Sequence, residues 1–167
     1  MFGMFGKGLL GNLSESFIDN VIRECVSPVL GSVVYCELAF GNAEHSGVFI
    51  GNNKIAHLDG DGCIEIVSPT KFLGRLGGWN SAISIYVSCN GVLPVGGEII
   101  AKRARKLVGH KRSYNVILDN CHQFTSGCLT GNFDNSDNFI WMLKHTASKE
   151  INSNSWRVWE SKNNQYL

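Results

Sequence analysis

Glu44-His45-Ser46-Gly47-Val48-Phe49-Ile50-Gly51-Asn52-Asn53-Lys54-Ile55-Ala56-His57-Leu58 reads as two strands joined by a tight turn. Val48-Phe49-Ile50 and Ile55-Ala56-His57-Leu58 are β-branched and apolar, and Gly-Asn-Asn between them is turn chemistry. The loop length decides the geometry. If Gly51-Asn52-Asn53 is a three-residue loop, Ile50 opposes Lys54 and Gly47 opposes His57. His45 then lies diagonal to His57 on the same face, about 7 Å away. A two-residue loop would put the histidines on opposite faces, because a slip of one residue inverts every side chain. Only the first arrangement allows a two-histidine site.

Outward from this hairpin, strand pattern continues on both sides. Val33-Val34-Tyr35-Cys36-Glu37-Leu38 precedes it; Cys63-Ile64-Glu65-Ile66-Val67 and Ile83-Ser84-Ile85-Tyr86-Val87 follow. Asn and Gly mark the breaks at 41–42, 59–62 and 90–91, and Gly74 to Trp79 reads as a loop. An antiparallel sheet is the economical assembly. Helical spacing appears at Phe17, Ile18, Val21, Ile22 and Cys25. It returns at Ile100, Ala104, Leu107 and Val108, where Gly109 supplies a stop. Tyr114 to Leu118 reads as a short strand or turn. A further helix is expected from Cys121 to Gly131, with Cys121, Phe124, Thr125 and Cys128 on one face, and another over 137–145. The fold class is therefore α+β, an antiparallel sheet packed against helices.

Composition narrows the function classes. With 44% hydrophobic and 17% charged residues, the 167-residue chain has the make-up of one packed domain. A formal net charge of +1 generates no field to recruit nucleic acid. No run of about 18 apolar residues is present. Six cysteines occur without a C-x-x-C pair, and the start at Met1 lacks the layout of a secretory signal. Free thiols in a reducing, cytoplasmic setting are expected. Lys102, Arg103, Arg105, Lys106, Lys111 and Arg112 crowd eleven positions. That is a solvated helix face or a contact patch for anionic headgroups. With the glycine-rich apolar start, it points to peripheral membrane contact.

The chemistry gathers at Asp119-Asn120-Cys121-His122-Gln123-Phe124. A cysteine attacks carbonyl carbon only as thiolate, so it needs a base, a cation or a helix N-terminus beside it. If Asp119 or Asn120 caps the helix, the sulfur sits among free N–H groups that favour an anion and could hold an oxyanion. His45 is the candidate base, with His57 to orient it. His110 and His145 lie in basic or tail segments and read as solvated. His122 neighbours the sulfur but points elsewhere on a helix, which favours a structural role.

These motifs resemble the lecithin:retinol acyltransferase family, a circularly permuted papain-like branch of the NlpC type. The resemblance runs from Gly31 to Gly131. Gly31-Ser32-Val33-Val34-Tyr35 is similar to the family's opening strand. His45 to Gly51 and Ile55 to Leu58 are similar to its two histidine motifs, and Asn120 to Phe124 to its asparagine-cysteine box. The resemblance implies Cys121 as nucleophile, His45 as general base, His57 as the third polar member, and Tyr114 as an accessory donor near the oxyanion. It implies acyl transfer or hydrolysis through a thioester, with a lipid or peptide acyl substrate and no cofactor. The family box usually continues with Glu and His, where this chain has His122 and Gln123. Residues 1–30 are expected as a helical extension, 31–131 as the catalytic domain and 132–167 as a partly flexible extension. Three other readings remain: an NlpC-type peptidase, an inactive binding module, and a zinc site of Cys121, His122, His45 and His57.

Overall fold

The computed structural model describes residues 25–38, 43–74, 84–113 and 120–160. The N-terminal helix expected around Phe17, the loop at Trp79 and the segment holding Tyr114 lie outside these residues.

Among the described residues, seven strands form one antiparallel sheet. They are β1 (Val33–Leu38), β2 (Ala43–Phe49), β3 (Ile55–Leu58), β4 (Ile64–Val67), β5 (Ile85–Asn90), β6 (Leu93–Pro94) and β7 (Ser155–Val158). The order is β4-β3-β2-β1-β5-β6, with β7 also paired to β5. The architecture is α+β, as the strand and helix patterns require. Val48 opposes Ala56 and Phe49 opposes Ile55, with Ile50 N–H donating to Lys54 O at 2.9 Å. This is the register of the three-residue loop. Gly51, Asn52 and Asn53 all take positive φ, at 87°, 50° and 54°. Glycine adopts that region freely and asparagine tolerates it, which is why this loop composition turns the chain here.

The described helices are α1 (Pro69–Leu73), α2 (Glu98–Leu107), α3 (Cys121–Thr130) and α4 (Ile140–Ile151). α1 has a legible signature that periodicity overlooked: Ser68 caps it and Pro69 opens it. Alternation along the strands creates two apolar layers. Val33, Val48, Ala56, Leu58 and Ile64 face α2, α3 and α4; Phe124, Cys128, Leu143 and Ala147 fill that core. Val34, Cys36, Ile55, Val67, Ile85 and Val87 face the other way, against Phe72 of α1. α3 is buried from Cys121 through Leu129, so it is a central helix rather than an amphipathic one.

One expectation is corrected. The last described helix begins at Ile140 rather than 137, because the Asp137 carboxylate is occupied by hydroxyl donors from Ser126 and Thr146 and so holds the chain outside the helix. The basic run is solvated at Lys102, Arg105, Lys106 and Lys111, as expected, while Arg103 and Arg112 are half-buried. Arg103 donates to the carbonyls of Cys128 and Leu129 at 3.1 and 2.7 Å, satisfying the end of α3. Arg105 donates to Ile50 O, and Arg112 to Phe133 O at 3.0 Å. Lys102, Lys106 and Lys111 remain exposed. α4 and β7 also belong to the core and sheet, since Leu143 and Ala147 are buried and β7 runs beside β5.

Candidate active site

His45 and His57 come together as the hairpin geometry requires. His45 Nε2 and His57 Nδ1 are 2.8 Å apart, and the rings meet edge to face. Both are buried, and Phe72 walls them with ring centroids at 4.9 and 5.7 Å. Gly47 makes the space: a Cβ there would stand 3.1 Å from His57 Cβ and 2.7 Å from Ala56 O. A glycine opposite a histidine is thus a packing requirement of the pair.

Behind His57 stands Glu65, its directly opposite partner on β4. Glu65 Oε1 lies 3.4 Å from His57 Nε2, and Lys71 Nζ lies 3.7 Å from Glu65 Oε2. The row biases proton positions. A carboxylate facing Nε2 favours the His57 tautomer that carries its proton there, which would leave Nδ1 to accept from His45 Nε2–H and the lone pair of His45 on its own Nδ1. A carboxylate that orients an imidazole in this way sets both its tautomer and its basicity. Sequence reading missed Glu65; its position two residues into the strand opposite His57 was the available signal.

Cys121 opens α3, as expected. Asn120 caps the helix: its Oδ1 accepts from His122 N–H at 2.9 Å and Gln123 N–H at 3.2 Å. Gln123 Oε1 returns the bond to Asn120 N–H at 3.2 Å, completing a capping box. Asn120 Nδ2 donates to Asn138 O at 2.8 Å and Gln123 Nε2 to Asn135 O at 2.6 Å, so the 132–139 segment ties down this first turn.

The sulfur is wrapped in donors. Burial pushes the Cys121 thiol up; hydrogen bonds from the Ser46 backbone and hydroxyl and from the N–H groups of Cys121 and His122 pull it down, and burial prevails. The resting group is therefore a thiol that needs a base, in a pocket already built to hold its anion. Hydrogen bonds to charged groups are each worth about 1.5–3 kcal/mol. Ser46 is the residue next to His45, and Cys36 is the cross-strand partner of His45. Burial foremost, and then the nearby Cys121, push the Cys36 thiol up to about 12.

His122 has the buried, hydrogen-bonded setting that a structural role requires, with its Nδ1 2.9 Å from Ser46 Oγ. Burial lowers its pKa to about 4. His110 and His145 are exposed. All six cysteines carry free thiols. Tyr114 lies outside the described residues. Among the described residues, no group of three or more His, Cys, Asp or Glu side chains could hold a metal ion.

Residues 76–134, about a third of the chain, match the family model described as lecithin retinol acyltransferase. The matched segment takes in Cys121 and ends ahead of α4; His45 and His57 precede it. No curated protein and no solved structure matches the chain. The match falls on the segment that holds the asparagine-cysteine box, and it supports the likeness to the lecithin retinol acyltransferase family over that segment.

Proposed function

We propose that this chain is a cysteine-dependent acyltransferase or hydrolase that works through a thioester on Cys121, with a lipid ester as acyl donor. The match of residues 76–134 to the lecithin retinol acyltransferase model supports acyltransferase-type activity. The observation that supports the thiol mechanism is the setting of the sulfur: the first residue of a buried, capped helix, surrounded by N–H and O–H donors, beside a strand whose histidine is wired to a carboxylate.

In this reading His45 Nδ1 accepts the Cys121 thiol proton and the thiolate attacks the ester carbonyl carbon. The oxyanion forms beside the Cys121 N–H at the start of α3, with Tyr114 as a further donor. The C–O bond breaks and His45 returns the proton to the departing alkoxide, leaving the acyl group on sulfur. A water, amine or alcohol, deprotonated by His45, attacks the thioester; the C–S bond breaks and the thiolate is restored. His57 and Glu65 stabilise the imidazolium in both halves. No helix among the described residues is long and apolar enough to cross a membrane. Lipid would reach the site from a surface, with the exposed Lys102, Lys106 and Lys111 available to headgroups.

Intact-mass measurement after incubation with a phospholipid tests this. One acyl group should add to the wild-type chain and none to Cys121→Ala, and His45→Ala should slow the reaction by about 10² or more. Acyl addition that survives Cys121→Ala would overturn the assignment. Amide cleavage of a cell-wall peptide without acylation by lipid would shift the donor class.

A further inference from the structure

We infer that Ser46 and His122 are a positioning pair for the nucleophile: His122 donates its ring proton to Ser46 Oγ, and the Ser46 hydroxyl proton turns to Cys121 Sγ as the sulfur ionises. The inference rests on Cys121 being the nucleophile.

Counting protons leads there. Ser46 Oγ lies within hydrogen-bond distance of His122 Nδ1, 2.9 Å away, and Thr125 Oγ1, 3.1 Å away, and it is among the groups that pull the Cys121 thiol down. Ser46, Thr125 and His122 are all buried, so water does not supply the balance. The Thr125 hydroxyl spends its single proton on Cys121 O, at 2.8 Å. Thr125 therefore only accepts from Ser46. The one proton on Ser46 has three acceptors to choose among: Thr125 Oγ1, the sulfur, and His122 Nδ1 if that nitrogen is bare.

A neutral imidazole with its proton on Nδ1 removes the third choice and gives Ser46 a donor instead. The hydroxyl then toggles between two acceptors. While Cys121 is a thiol, its proton rests on Thr125. Once the sulfur is anionic it is the stronger acceptor, and the hydroxyl rotates to it. Stabilisation that is present in the thiolate and absent in the thiol lowers the energy of the reactive form specifically. Ser46 and His122 touch no substrate in this scheme. They set the sulfur.

β-Strand parity makes the division of labour possible. Ser46 and its neighbour His45 point to opposite sides of β2, since Ser46 reaches α3 while His45 lies against Phe72 of α1. One strand thus delivers a base from one face and a hydroxyl from the other. Among the described residues, Cys36 on β1 and His45 on β2 are further titratable groups beside Cys121, and neither is altered in the variants below.

The rate of Cys121 alkylation by iodoacetamide, followed against pH and assigned by peptide mass, reads the effect directly. Ser46→Ala should move the apparent thiol pKa upward by ~1–2 units, the range expected of one hydrogen bond to a charged group. His122→Leu should move it the same way. His122→Asn, whose side-chain N–H can stand in for the Nδ1–H, should restore the wild-type profile. Unchanged profiles in Ser46→Ala and His122→Leu would overturn the inference. A shift in His122→Leu that His122→Asn fails to restore would overturn the donor role of His122. Should Ser46→Ala fail to fold, the two His122 variants still decide. Alkylation needs no acyl donor, so shifted profiles with no acyl-enzyme would remove the proposed function and leave the pair standing. Acyl-enzyme with unshifted profiles would do the reverse.

Discussion

Glu65 faces His57 from the neighbouring strand, with Oε1 3.4 Å from Nε2 of an imidazole that has no solvent exposure. The separation is longer than a good hydrogen bond and within ion-pair range. The carboxylate is partly exposed, and its second oxygen is shared with the exposed Lys71. It thus biases the His57–His45 row from the protein surface without itself being buried.

Glu65→Gln tests that bias. The amide keeps the shape but can donate as well as accept, so the proton on His57 is no longer directed to Nε2. Turnover should fall by about 10–100-fold, the usual cost of losing an orienting partner behind a functional histidine. Stability should change little, since the glutamine keeps the side chain's shape and the separation from His57 Nε2 is longer than a good hydrogen bond. Initial rates of acyl release, measured beside a urea melt, separate the two effects. Full activity in the glutamine variant would mean that His45 needs no orientation through this route.

Gly47→Ala should be disproportionately harmful for a single methyl group. The added carbon would meet Ala56 O at 2.7 Å, Ile55 Cγ2 at 2.8 Å and His57 Cβ at 3.1 Å. Backbone and a buried side chain cannot yield cheaply, so overpacking of about 1–3 kcal/mol is expected. Urea denaturation reads the loss. Imidazole NMR resonances should move as well, because His57 is displaced from His45.

Asn120→Ala removes the acceptor for two N–H groups at the start of α3 and the donor to Asn138 O. The cap alone is worth about 1 kcal/mol. Because the helix is buried, water does not replace it. A thermal melt should show the stability loss, and Cys121 alkylation at fixed pH should slow as the first turn frays. A melt unchanged from wild type would argue that the cap does not hold this turn.

Acid should unfold the protein partly through His122. Its folded pKa is lowered from 6.5 to about 4 by burial. As pH falls through that window the unfolded chain takes up the proton first, so the folded state loses stability. The contribution is complete above about 6.5 and is lost toward about 4, amounting to at most ~3 kcal/mol. His122→Asn cannot titrate there. Urea melts between pH 7 and 4.5 should show the wild type losing more stability than the variant; equal losses would contradict a buried neutral imidazole.

Much of this could be read along the chain. Turn residues at 51–53 mark a hairpin, and with the period of two along strands a three-residue loop there puts His45 and His57 on one face; the observed register is that of the three-residue loop. Asn120 with Gln123 announces a capped helix start, and so places Cys121 at an N-terminus. These are local relations, set by backbone sterics and short-range hydrogen bonds. Glu65, Phe72, Ser46 and His122 were not legible in the same way. Their roles depend on which strand lies beside which and on which helix covers which face, and those are decided by how the apolar surfaces close over one another. Burial then gives the polar contacts their meaning: it lowers the pKa of His122 to about 4 and pushes the Cys121 thiol up. Local pattern determined the parts and their facing, and the packing of α1 and α3 on opposite sides of β2 decided what each part can do.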